Sequence, residues 1–158
     1  MFWQKGGSMS IRIRLDFQTK IDLDFLLKGV SLRLIRLIAT IQLKTRDGWT
    51  RTYDAIVDTG NPISIIPFSI WSKAQVKFLL PDRTQLFGIG ADDKAAVSGK
   101  LAEVVGIFRD QQKVSQPLRI KAHILEDDSA PLLIGFEDIL TNVKLVSDYK
   151  SKEAYFEV

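Results

Sequence analysis

Apolar and charged residues take turns along Ile11-Arg12-Ile13-Arg14-Leu15-Asp16-Phe17, the period of a strand with one face buried and one in water. Ile21, Leu23 and Phe25 alternate with Asp22 and Asp24 in the same way, and Gln18-Thr19-Lys20 between them suits a hairpin connection. That hairpin would set the Arg face of one strand beside the Asp face of the other. Strand-like segments of this kind recur to the end of the chain. Ile35 to Lys44 is rich in β-branched residues and runs into the turn Arg46-Asp47-Gly48, after which Trp49 to Val57 is again strand-like. Further strands are expected at 85–90, 96–109, 118–125, 143–147 and 154–158, with a short helix or irregular turn after Pro67 and one short helix over 135–142. Many short strands separated by turn residues point to an all-β sandwich or closed barrel.

The stretch from Ser31 to Ile38 carries arginines three apart and fits a basic amphipathic helix lying on a membrane as well as a strand. The β-branched run that follows favours the strand.

Composition narrows the chemistry. The chain has no cysteine, which removes disulfides, thiolate metal sites and cysteine nucleophiles. Residues 1–51 hold ten Lys/Arg against four Asp/Glu, so the basic character sits at the front, but these charges alternate with apolar residues and do not form a nucleic-acid-binding run. The opening residues lack the apolar core of a signal peptide, and no run reaches the ~18 apolar residues of a membrane helix. A cytoplasmic protein without membrane or nucleic-acid partners is the expectation, with residues 1–10 a leader.

The most informative segment is Ala55-Ile56-Val57 leading into Asp58-Thr59-Gly60, which puts a carboxylate where an apolar strand breaks into a turn that glycine permits. A second carboxylate beside it would let the two share one proton and divide into an acid and a base, able to activate water against an amide carbonyl. Ala55 to Pro67 resembles the active-site segment of retropepsin-like aspartic proteases, in which a hydrophobic strand precedes Asp-Thr/Ser-Gly and a small hydroxyl residue, here Ser64, follows four positions after the glycine. Two later segments resemble further family elements in the same order. Leu86 to Gly90 followed by Ala91-Asp92-Asp93 is similar to the glycine-containing flap over bound peptide. Pro131-Leu-Leu-Ile-Gly135 followed by Phe136 to Leu140 is similar to the hydrophobic-hydrophobic-Gly element and short helix beneath the active-site loop.

The resemblance covers residues 35–158 and leaves 11–34 as an amino-terminal β extension. It implies a closed acid-protease barrel and an endopeptidase without cofactor or metal. A single triplet implies that a homodimer completes the pair, one Asp58 from each subunit. Asp58, Thr59 and Gly60 are then the catalytic loop, with Gly88, Ile89, Gly90 and Ala91 in the flap and Asn61 and Ile63 in the cleft contacting a peptide or protein substrate; Ile89 and Leu133 would line pockets. Two residues depart from the pattern: Asn61 stands where the family usually has Ala or Ser, and Phe136 where bacterial members often have Arg. They motivate the alternative of an inactive protease-fold module that binds peptides or assists assembly. The lone His123 reads as a structural histidine, and Glu126-Asp127-Asp128 as a solvated loop rather than a calcium site.

Overall fold

A computed structural model describes residues 10–86 and 97–158. The chain is mostly β, as the alternation implies, and its strands form two sheets. Strands β1 (Arg12–Arg14) and β2 (Asp16–Ile21) are followed by a one-turn helix α1 (Leu23–Leu27), then β3 (Arg33–Leu43), β4 (Tyr53–Val57) and β5 (Ser64–Ile66). A second short helix α2 (Phe68–Trp71) precedes β6 (Lys77–Leu86), β7 (Val97–Arg109), β8 (Leu118–Leu125) and β9 (Leu133–Ile134), and β10 (Lys144–Asp148) and β11 (Glu153–Glu157) end the chain.

The larger, 8-stranded sheet has the order β2-β3-β4-β9-β5-β8-β7-β6. Thr40 to Leu43 of β3 also pair antiparallel with Gly106 to Arg109 of β7, so the ladder closes into a ring from β3 through β4, β9, β5, β8 and β7 back to β3. Most ladders are antiparallel, but β4 runs parallel to β9 and β5 parallel to β8. The core lies inside this ring, where alternate residues of long strands converge: Ile41 and Leu43 from β3, Val104 and Phe108 from β7, Ile120 from β8. The 3-stranded sheet β1-β11-β10 covers one side, and its Phe156 meets Phe108 edge-to-face with ring centroids 5.2 Å apart.

Several expected elements differ. No hairpin joins residues 11–17 to 21–25: Gln18-Thr19-Lys20 lies inside β2, which pairs with β3, while β1 pairs with β11. Leu23–Leu27 is helical because Asp22 caps it, its Oδ1 accepting the N–H groups of Asp24 and Phe25. Arg12 finds its anion at Glu157, 3.3 Å away. The stretch 33–43 is a strand and not a surface helix. The segment after Gly135 is no regular helix. Phe136–Leu140 forms a wide turn in which the Thr141 N–H reaches back to the Phe136 carbonyl and Asp138 takes a left-handed φ of 63°. Asp138 tolerates that conformation because its carboxylate is held by the backbone N–H and the Nζ of Lys121. Among the described residues no helix is long and apolar enough to cross a membrane.

Candidate active site

Strand β4 carries Tyr53, Ala55 and Val57 into the core and Asp54, Ile56 and Asp58 on its other face. Asp58 follows the last residue of the strand. Its backbone N–H still donates to Ile134 of β9, so the loop departs from a fixed point. The chain then turns within two residues: the Gly60 N–H donates to Asp58 Oδ1 at 2.9 Å and the Asn61 N–H to the Asp58 carbonyl. One carboxylate oxygen is thereby oriented by the loop it belongs to. The side chain is half-buried, and Thr59 and Gly60 beside it are exposed.

What holds this loop comes from seventy residues away. Strand β9 lies between β4 and β5, parallel to one and antiparallel to the other, and so bridges the two sides of the Asp58 loop. At its end the Gly135 N–H donates to the buried Ser64 Oγ at 2.9 Å, the Phe136 N–H to the Asn61 carbonyl and the Glu137 N–H to the Pro62 carbonyl. Gly135 must be glycine for reasons of space. A Cβ there would stand 2.7 Å from both the Asn61 carbonyl oxygen and the Ile63 carbonyl carbon. Residues 61, 62 and 64 are thus held by hydrogen bonds from the backbone of residues 135–137, two to their carbonyls and one to the Ser64 hydroxyl, and the carboxylate of Asp58 is carried on this support.

Asp58 and Thr59 open onto a groove of about 1190 Å³. Its lining includes Ala130, Pro131 and Leu133, Asp54 and Ile56 of β4, and Phe17, Ile35, Leu37 and Tyr149. Asn61 and Ile63, expected in the cleft, are half-buried and are not among the residues lining this groove. Leu133 does line it while also packing with Ile65, Leu125 and Ala130 in a small apolar cluster. The expected flap residues Gly88, Ile89, Gly90 and Ala91 lie outside the described residues. The groove-lining residues of β2 and β3 carry no motif. Asp54 and Ile56 were findable, since they sit four and two positions before Asp58 and share its face of the strand.

His123 on β8 has an Nδ1 that is buried without a hydrogen-bond partner among the described residues, and burial pushes its pKa down. Glu126 pairs with Arg83 at 2.8 Å, Asp127 accepts from the N–H and Oγ of Ser129, and Asp128 accepts from the Ser69 N–H. These three carboxylates point to separate partners. Among the described residues no group of three or more His, Asp or Glu side chains could hold a metal ion.

No protein-family model matches this chain, and neither does any curated protein.

Proposed function

We propose that the chain is a subunit of a homodimeric aspartic endopeptidase of retropepsin-like fold, with Asp58 supplying half of its catalytic carboxylate pair. The observation that carries this reading is the support of the Asp58 loop: a carboxylate oriented by its own turn, clamped through Gly135 and Ser64, in the lining of an open groove. The closed strand ring around the core is consistent with a small acid-protease barrel.

Water activation needs two carboxyl groups in different protonation states. One takes a proton from the water as its oxygen attacks the amide carbon, and the other gives a proton to the carbonyl oxygen. The resulting tetrahedral adduct collapses when the leaving nitrogen is protonated. One chain offers Asp58 alone at this loop, so a two-fold axis bringing two copies together supplies the second carboxyl. Two such groups side by side would share one proton, because both cannot be ionised at close range without cost. Each Thr59, exposed beside the carboxylate, would brace the opposite loop.

The test is cleavage of an unfolded-protein peptide mixture from acid to neutral pH by wild type and by Asp58→Asn, which keeps the shape and removes the titrating group. We expect cleavage by wild type and a loss of at least ~100-fold in the variant. Equal activity in both would sink the assignment of Asp58. A folded, dimeric wild type that cuts nothing at any pH would favour a peptide-binding module in which Asn61, following Gly60, marks the departure from the active pattern.

A further inference from the structure

Helix α1 buries none of its residues. Leu23 is 70% exposed and Leu27 88%, and Phe25, Leu26, Val30 and Leu32 are each more than two-fifths exposed. The backbone of this tip is nevertheless tied by its own hydrogen bonds. The Asp22 carboxylate caps the helix, the Leu26 N–H donates to the Asp22 carbonyl, the Val30 N–H to that of Phe25, and the Asp22 N–H to that of Leu32. The arm formed by β2, α1 and the start of β3 therefore keeps its shape by itself, and what it lacks is cover for its side chains.

We propose that this arm packs against the arm of a second copy of the chain, in the same dimer that would pair the two Asp58 loops, and so rests on the peptidase reading. Three observations choose this occupant. The first is continuity: Phe17, Ile35 and Leu37 at the root of the arm line the groove that also holds Asp58 and Thr59, so the arm rises beside the place a second chain must reach. The second is area. At about 100 Å² for each of the six tip residues, the tip leaves on the order of 600 Å² uncovered, at the upper end of the largest patch on a typical monomer and most of the ~800 Å² that one partner of a standard interface buries.

The third is charge. Asp22 and Asp24 stand at the start of α1, and Lys28 caps its end. A two-fold axis that lays two such helices antiparallel sets the acidic end of each against the basic end of the other. An anionic lipid surface fits less well, because Asp22 and Asp24 occupy the same turn as Leu23 and Phe25.

Sedimentation of the full chain tests this, using wild type, the double variant Leu23→Asp/Leu27→Asp and Asp58→Asn. Wild type and Asp58→Asn are expected to be dimers at micromolar concentration. The double variant is expected to associate at least ~100-fold more weakly, with an unchanged circular dichroism spectrum because neither leucine packs within the fold. A double variant that dimerises as tightly as wild type overturns the proposal. So does a wild type that is monomeric at ~100 µM, including one that floats with anionic vesicles while the double variant does not, which would make lipid the occupant. Cleavage abolished by Asp58→Asn alongside a still-dimeric double variant removes the arm contact and leaves the peptidase. Dimers dispersed by the arm variant, with no cleavage by any of the three proteins, remove the peptidase and leave the arm contact.

Discussion

Gly135 and Ser64 connect two distant parts of the chain through one hydrogen bond and one missing side chain, and each can be removed separately. Gly135→Ala would push a methyl group into the backbone at Asn61 and Ile63, and neither is a flexible side-chain end able to swing aside. Overpacking of this kind should cost ~3 kcal/mol, read as a lower urea midpoint. Ser64→Ala leaves the Gly135 N–H without its partner in a buried position, for a loss of ~1–2 kcal/mol. Both variants also loosen the support of Asp58, so on the peptidase proposal activity should fall by more than the folded fraction does. Activity that follows the folded fraction alone would show that the clamp serves stability only.

Between elements, the small sheet is tied to the ring through Asp110, in the turn after β7. Its Oδ2 accepts the Arg14 N–H of β1 at 2.8 Å, and its Oδ1 accepts the N–H groups of Gln112 and Lys113 at 2.7 Å each. Burial pulls this carboxyl upward, but the three backbone donors, of Arg14, Gln112 and Lys113, outweigh it and hold Asp110 below the ordinary carboxylate range. A group depressed in this way contributes stability that is fully present above its unfolded value, near 4, and is lost as pH falls through the folded value. Asp110→Asn should therefore cost ~1 kcal/mol at neutral pH, discounted for partial exposure. The gap between variant and wild type should close below about pH 4 in denaturation curves. A gap that persists unchanged at pH 2 would rule out the carboxylate as its source.

The same ladder of elements shows what a sequence can and cannot carry. Leu118–Leu125 matches its expected bounds, because every other residue of that strand faces the core and the alternation is enforced along its length. The first hairpin fails for the opposite reason. The alternation in 11–17 states that a strand has a buried face but not which strand lies beside it, and Arg12 meets Glu157 across the length of the chain. Leu23–Leu27 is too short for a period of two to be told from one of 3.6, and the deciding residue is the cap Asp22. In the candidate site, Asp58 and Gly60 were legible because a carboxylate ending an apolar strand before a turn glycine stands out, while Ser64 and Gly135 were singled out only through the resemblance. The part of the groove lining that comes from β2 and β3 was not legible, since Phe17, Ile35 and Leu37 are ordinary strand residues placed there by the β2–β3 pairing.

The proposed site, with one carboxylate from each of two chains, would make activity depend on pairs rather than on single subunits, and mixing exposes that dependence. When wild type is combined with Asp58→Asn under conditions of subunit exchange, a mixed dimer holds one titrating carboxyl and cannot divide the roles of acid and base. Random pairing then leaves active dimers in proportion to the wild-type fraction. At constant wild-type concentration, an equal amount of the variant should lower activity to about half, and a threefold excess to about a quarter. A protein whose site is complete within one chain would show no loss at either ratio. Inhibition that appears only after the subunits are given time to exchange would place the defect in the shared dimer rather than in competition for substrate, because competition acts as soon as the proteins are mixed.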